Sequence, residues 1–172
     1  SIRRQRQMCI RDRPYPAREG EELKVLVNRA KENNVIFYWA IHPGQDIRWN
    51  EEDRSLLLQK FESMYQLGVR GFAVFFDDIS GEGTKADKQA ELLNYIDDHF
   101  VKVKRDVAPL ILCPTEYNKS WTDVEGGYLT TLGDKLNEGI KVMWTGDMVV
   151  ATIDKSTLDF VNPLLKRKAY IW

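Results

Sequence analysis

Two adjacent carboxylates, Asp77 and Asp78, are the residues of this chain whose types and spacing most directly suggest chemistry. They follow the apolar run 72–76 and precede a glycine-containing turn. Two carboxyl groups this close have separated pKa values, so one is ionised while the other holds a proton. Such a pair suits an acid catalyst beside an electrostatic stabiliser. The competing interpretation is a loop pair that caps the following turn or helix.

Polar or aromatic residues follow other apolar runs as well. Glu116, together with Asp77 or Asp78, could bind a divalent metal, so a metal-dependent lyase or isomerase is one alternative. A sugar-stacking wall of Tyr117, Trp121 and Trp144 is compatible with a second alternative, a non-catalytic carbohydrate-binding barrel, although aromatic residues are core material first. We interpret the two histidines, His42 and His99, as hydrogen-bonding residues rather than catalysts.

The elements that must position these groups alternate along the chain. Short apolar runs without alternation, typical of strands covered on both faces, are followed by helical patterns. The predicted strands are 35–41, 72–76, 110–113, 141–144 and 169–172. The predicted buried helix faces are Leu23, Leu26, Val27 and Ala30; Leu57, Phe61, Met64 and Tyr65; Ala90, Leu93, Ile96 and Phe100; and Phe160, Val161, Leu164 and Leu165. Gly68 is the expected C-cap of the second helix, Thr84 the N-cap of the third, and Ser156 leads into the last.

This alternation predicts an α/β fold with a parallel sheet. An eightfold (β/α)₈ barrel takes about 250 residues, so the chain would hold about five of its eight strands. A doubly wound open sheet would give the same local pattern. The barrel is favoured because no Gly-x-Gly-x-x-Gly follows a strand and because polar groups gather at several successive strand ends.

Composition excludes several classes of protein. No apolar run approaches the ~20 residues of a membrane-spanning helix, and a net charge of -1 gives no electrostatic case for nucleic acid. The two cysteines, Cys9 and Cys113, form no disulfide framework or metal-ligand spacing, and Cys113 is expected to be a small buried hydrophobe. Residues 1–13 carry five arginines and resemble the in-frame translation of a transposase-type sequencing adapter. We interpret them as non-native and assign 14–172 to the partial catalytic barrel.

Four segments at predicted strand ends together resemble glycoside hydrolase family 84. They are 39–44 (Trp-Ala-Ile-His-Pro-Gly), 75–83 (Phe-Phe-Asp-Asp-Ile-Ser-Gly-Glu-Gly), 113–117 (Cys-Pro-Thr-Glu-Tyr) and 143–147 (Met-Trp-Thr-Gly-Asp). The resemblance implies a (β/α)₈ barrel that removes terminal β-linked N-acetylglucosamine from glycans or glycoproteins with retention of configuration. It implies no cofactor, no metal and no nucleic-acid partner. For a bacterial member it implies secretion or a periplasmic location.

The resemblance also implies roles for individual residues. In this family the substrate's own 2-acetamido oxygen attacks the anomeric carbon and gives an oxazoline, so no enzyme nucleophile is needed. Asp77 would then orient the acetamido N–H, and Asp78 would protonate the leaving oxygen and later activate water. Tyr117 would help to hold the acetamido group. Further matches line the pocket or its mouth: Cys113, Trp121, Thr145, Val149 and Trp172.

By the same resemblance, two strands of the family barrel should precede residue 14, and further sugar-binding residues should follow Trp172. We therefore expect this chain alone to be inactive and prone to aggregate, because an open barrel exposes two strand edges.

Overall fold

The computed structural model of the chain describes residues 16–171. Its strands are β1 (Tyr38–Ile41), β2 (Gly71–Phe75), β3 (Ile111–Cys113), β4 (Lys141–Trp144) and β5 (Tyr170–Ile171). Its α-helices are α1 (Ala17–Glu32), α2 (Glu51–Gln66), α3 (Ala86–Ile96), α4 (Lys102–Lys104), α5 (Tyr128–Lys135) and α6 (Lys155–Leu165). A π-helical turn, Asp97–Val101, joins α3 to α4, and 3₁₀ turns cover Gly81–Thr84 and Lys119–Trp121.

The five strands form one parallel sheet in the order β1-β2-β3-β4-β5. In a doubly wound sheet the strand order reverses at a switch point, whereas in a (β/α)₈ barrel each strand pairs with the next along the chain. The observed order is that of the barrel. It confirms the predicted fold, an α/β sheet of five strands from a partial barrel.

Alternate residues of the strands face two different cores. Phe72, Val74 and Phe76 belong to the large cluster that the helices cover. Ala73 lies in a smaller cluster on the opposite face, with Phe75 packed against its edge. The other members of this smaller cluster are Ile111, Cys113, Tyr117 and Met143. Because side chains alternate along a strand, the smaller cluster marks the barrel interior.

The first helix differs from prediction on one face and at its end. Leu23 and Val27 are buried, but Leu26 is 55% exposed because it lies about 100° around the helix from Val27. The predicted strand 35–41 begins only at Tyr38. Asn34 has a φ of 56°, and the Val35 amide donates to the Ala30 carbonyl at 2.8 Å. This Schellman closure of the helix uses the Val35 donor, so the strand starts later.

Other helix boundaries follow the same logic. The helix α2 ends in a Schellman motif around Gly68, which has a φ of +104°. Thr84 is not the N-cap of α3; it closes the preceding 3₁₀ turn by donating to the Gly81 carbonyl at 2.7 Å. Asp154, rather than Ser156, caps α6 by accepting from the Thr157 amide at 3.0 Å. A nearby short polar side chain replaces the predicted residue at α6.

Of the helices in residues 16–171, none combines the length and the apolar character that crossing a membrane requires.

Candidate active site

The acid pair lies where β2 leaves the sheet. Asp77 continues the interior-facing series Ala73 and Phe75 at two-residue spacing, and it is half-buried. Asp78 would point to the other face of a regular strand, but its φ of 49° turns the backbone into the left-handed region, and it is exposed. A non-glycine residue in this region is uncommon and strained, and such residues cluster at functional sites. The turn separates the environments of the two carboxyl groups.

The ionisable partner of Asp77 on the β1 side is His42, directly after β1. His42 Nε2 lies 2.7 Å from the Asp77 carbonyl oxygen and 3.4 Å from Asp77 Oδ1. Burial would raise the pKa of Asp77, but the contact with His42 outweighs it and holds that pKa below its usual value. The same contact raises the pKa of His42, against the effect of burial. At neutral pH Asp77 is therefore an ionised carboxylate.

Two buried polar atoms on this side of β2 lack hydrogen bonds. Among the described residues, neither Asp77 Oδ1 nor His42 Nδ1 has a hydrogen-bond partner. Buried polar atoms are almost always satisfied, so an exception points to a functional role. A ligand N–H placed against Asp77 Oδ1 would supply the missing donor.

Cys113 and Tyr117 complete the interior face next to the acids. Cys113 is fully buried at the end of β3, and burial together with Asp77 and Asp78 raises the pKa of its thiol. Burial, Asp78 and Asp77 likewise raise the pKa of the Tyr117 phenol. Both groups therefore stay protonated at neutral pH. They form an uncharged wall with a hydrogen-bond donor, and the burial of Cys113 confirms the prediction that it is a small buried hydrophobe.

The predicted pocket-lining residues Trp121, Thr145 and Val149 lie beyond Tyr117. Trp121 packs edge-to-face on Tyr117 with ring centroids 5.0 Å apart and is 48% exposed. The Thr145 hydroxyl donates to the Met148 carbonyl at 2.8 Å, so it is used to shape the loop after β4. Val149 in that loop is 45% exposed. Trp172 lies outside the described residues, and its role remains a prediction.

Trp144 does not belong to a sugar-stacking wall. It is fully buried in the helix-covered core, and its Nε1–H donates to Thr157 Oγ1 at 2.9 Å. Trp144 is the next residue after Met143, whose side chain faces the barrel interior. Because adjacent side chains of a strand point to opposite faces, the Trp144 side chain faces the helices.

Glu116 is likewise separated from the acid pair. One carboxylate oxygen accepts from the Asp123 amide at 2.9 Å, and burial raises the pKa of Glu116. It lines a cavity of about 630 Å³ at the starts of α3 and α5, which neither aspartate lines. Within residues 16–171, no three His, Cys, Asp or Glu side chains gather as metal ligands. The predicted grouping of Asp77, Asp78 and Glu116 is therefore wrong.

Sequence reasoning gave too little weight to His42 and overlooked Gln89. Gln89 is completely buried on the apolar face of α3, at i, i+4 and i+7 with Leu93 and Ile96. A glutamine in an apolar stripe is the signal that would have identified it, because a buried amide must find partners. His99, in contrast, stacks on Tyr95 on the surface.

Comparison with known proteins places this geometry in a family. A model of the NAGidase family, described as beta-N-acetylglucosaminidase, matches residues 10–172. The Protein O-GlcNAcase of Rattus norvegicus is 34% identical in an alignment of 168 residues that covers 92% of this chain. The same protein of Mus musculus gives equal values. In both cases the chain spans only 18% of the length of the curated relative.

Solved structures agree with the family model. The structure named CpGH84B superimposes with a TM-score of 0.86 and 37% sequence identity, over 93% of this chain and 30% of that one. The structure named CpGH84D gives a TM-score of 0.84 at 33% identity, over 93% of this chain and 28% of that one. The fold, the strand-end motifs and these relatives agree, and the chain belongs to glycoside hydrolase family 84, the NAGidase family of β-N-acetylglucosaminidases.

Proposed function

We propose that Asp77 and Asp78 are the catalytic pair of a retaining exo-β-N-acetylglucosaminidase that uses its substrate's acetamido group as the nucleophile. The observation that carries the proposal is the buried Asp77 Oδ1, which makes no hydrogen bond within residues 16–171 and has a longer contact of 3.4 Å with His42 Nε2, on a carboxylate that this contact keeps ionised. An amide N–H of a 2-acetamido sugar is the matching donor. Carboxylate pairs that flank a scissile bond are ~5 Å or more apart, whereas these residues are neighbours on one side.

In the first step, the acetamido carbonyl oxygen attacks the anomeric carbon while the bond from that carbon to the leaving oxygen breaks. The Asp78 carboxylic acid gives its proton to the leaving oxygen. The Asp77 carboxylate accepts a hydrogen bond from the acetamido N–H. Its negative charge balances the positive charge that develops on the ring being formed. Charge stabilisation by a group fixed in advance is worth most in a partly buried site such as this one.

In the second step, water attacks the anomeric carbon of the oxazolinium ion and breaks the bond to the former carbonyl oxygen, which becomes the acetamido carbonyl again. The Asp78 carboxylate accepts the proton of that water and returns to its acid form. The product is N-acetylglucosamine with its original configuration. Asp78 thus serves both as general acid and as general base, for which its exposed position gives access to both the leaving group and water.

The remaining residues would shape the sugar subsite. The protonated Tyr117 phenol would donate to the acetamido group, and the neutral Cys113 would bound the space for its methyl. Trp121 and Val149 expose apolar surface where an aglycone would leave the pocket. The relatives named Protein O-GlcNAcase support a GlcNAc-bearing glycoprotein or glycan as substrate.

We also propose that this 172-residue chain alone does not turn over substrate. In the described residues, β1 pairs only with β2 and β5 only with β4, so each has an unpaired edge. Val35 and Ile36 beside β1 are each 59% exposed. The measurement is release of an aryl leaving group from an aryl β-N-acetylglucosaminide by the purified chain. Turnover by this chain alone would contradict the proposal.

The test of the acid pair uses a protein that contains this chain within a closed barrel, called the complete protein below. Hydrolysis of the same glycoside should depend on Asp78 and should be insensitive to EDTA. Loss of activity in EDTA that added divalent metal restores would support the metal-dependent alternative instead.

A further inference from the structure

We infer that a hydrogen-bond network formed by the buried Gln89 and the partly buried Thr115 and Tyr128, the Gln89 network, positions the turn that carries Asp77 and Asp78 for catalysis. This inference rests on the proposed function. The hydrogen bonds of these three side chains, described below, are to one another and to backbone groups, and none is to Asp77 or Asp78. The three are therefore positioning residues rather than catalytic ones.

The centre of the network is the amide of Gln89 on α3. Gln89 Nε2 donates to the Gly83 carbonyl at 2.7 Å and to Thr115 Oγ1 at 2.8 Å. Gln89 Oε1 accepts from the Tyr128 hydroxyl at 2.5 Å. The Gly83 carbonyl can only accept, so it fixes which end of the amide is nitrogen. A flipped amide would lose these bonds.

Two further bonds connect the network to β2 and β3. Thr115 Oγ1 donates its one proton to the Phe76 carbonyl at 2.7 Å, and the Thr115 amide donates to the Tyr128 hydroxyl at 2.8 Å. Phe76 also donates its amide to the Cys113 carbonyl at 2.9 Å. Both backbone polar groups of the residue before Asp77 are therefore held by residues at the end of β3.

The network forms hydrogen bonds to the residues at both ends of the turn that carries the two acids. Thr115 holds Phe76, directly before Asp77, and Gln89 holds Gly83, after the turn has reversed. Gly83 also packs against β1's loop so closely that an added Cβ would lie 2.2 Å from the Gly44 carbonyl oxygen. The backbone is therefore held on both sides of residues 77–82, at Phe76 and at Gly83.

This arrangement explains how Asp78 can hold a left-handed backbone conformation. Strained residues persist only where the surrounding structure determines them, and the network supplies that constraint from the helix side. A displacement of a catalytic group by about 1 Å can cost about 100-fold in rate. A loosened turn should therefore reduce turnover more than it reduces substrate binding.

The experiment compares Thr115→Val with Thr115→Ser in the complete protein. Valine keeps the branched shape but removes the hydroxyl that links Phe76 to Gln89, whereas serine keeps the hydroxyl. We expect kcat of T115V to fall about 10- to 100-fold with KM changed by less than about threefold. T115S should keep kcat within about threefold of wild type. Tyr128→Phe, which removes the hydroxyl shared by Gln89 and Thr115, should behave like T115V.

Circular dichroism and thermal unfolding establish that each variant is folded at the assay temperature. Wild-type kcat in folded T115V, or equal losses in T115V and T115S, would overturn the inference. If T115V does not fold, Y128F decides by the same criterion. Failure of the proposed function would give a different result. In that case the Asp78→Asn variant would hydrolyse the glycoside as fast as wild type, or wild type would not hydrolyse it at all.

Discussion

The two flanks of β2 differ in how their polar atoms are satisfied. On the β1 flank, His42 Nδ1 and Asp77 Oδ1 are buried without hydrogen-bond partners among residues 16–171. On the β3 flank, the amide of Gln89 and the hydroxyls of Thr115 and Tyr128 all have partners. Both flanks contact the same turn, yet the buried carboxylate oxygen of the turn itself that lacks a hydrogen bond, Asp77 Oδ1, lies on the β1 flank. Beyond β3, Glu116 Oε2 also lacks a hydrogen bond within the described part of the chain, but it lies outside the Gln89 network.

This difference suggests that the two flanks have different roles, one in binding a ligand and the other in holding the turn in place. A satisfied buried network is rigid and favours one arrangement, whereas an unsatisfied buried acceptor is costly until a ligand pairs with it. We therefore propose that the Gln89 network on the β3 flank supports the turn and that Asp77, on the β1 flank, presents a charged oxygen to the substrate. Substitutions on the two flanks should have different consequences.

The largest effect is expected from Asp78→Asn in the complete protein, because it removes the proposed proton donor. We expect kcat/KM to fall about 10²- to 10⁴-fold for a substrate with a poor leaving group, the usual contribution of a general acid. An activated aryl leaving group that needs no proton should lose much less in the first step. Equal losses for both substrates would contradict the role of Asp78 as the acid.

Asp77→Asn should come next, because it replaces the charge that balances the developing oxazolinium while keeping the shape. We expect kcat to fall about 10²- to 10³-fold, the range for a single stabilising group in an active site. Glu82→Gln is the matched control. Glu82 lies in the same turn but is exposed and pairs with Lys85 and Lys88, so its substitution should leave kcat unchanged.

His42→Phe should change the pH dependence of kcat/KM. The groups that act on Asp77 are His42 and Cys113, and Asp78 and Tyr117 lie nearby. His42 lowers the pKa of Asp77, so activity that needs the carboxylate is present above that pKa and lost as pH falls through it. Without His42 the pKa of Asp77 rises, and the acid limb should move to higher pH. An unchanged acid limb would contradict this assignment.

The smallest effect is expected on the free energy of unfolding, from substitution of Gln89 on the β3 flank. Gln89→Met removes the side-chain donor of the Gly83 carbonyl and one of the partners of each of the Thr115 and Tyr128 hydroxyls, so we expect a loss of about 1–3 kcal/mol in the free energy of unfolding. Gln59→Met, at an exposed position of α2, is the control and should change it by less than about 0.5 kcal/mol. Urea unfolding measures both. Equal values for the two variants would contradict the stabilising role of the Gln89 network.

The sequence predicted the strand-helix order well because that order depends on local apolar patterns. The strand 141–144 was predicted at its observed boundaries, and Leu57, Phe61 and Met64 are buried as expected. Helix ends were less predictable, since Val35 and Thr84 use their hydrogen-bonding groups in closures that several residues form together.

The site was predicted in part for a similar reason. Asp77 and Asp78 stand out because two carboxylates after an apolar run have no packing role. The Gln89 network joins residues 13 to 39 positions apart, and such spacing leaves no local pattern. Glu116 shares the strand-end position of the acids, but the loop after β3 turns it to another cavity.

The most direct test of the central claim measures kcat/KM of the complete protein for aryl glycosides whose N-acetyl group carries zero, one, two or three fluorine atoms. Fluorine withdraws electrons from the acetamido carbonyl oxygen and weakens it as a nucleophile. If that oxygen attacks the anomeric carbon beside Asp77 and Asp78, kcat/KM should fall steeply with each added fluorine. Equal kcat/KM for all four substrates would contradict the account.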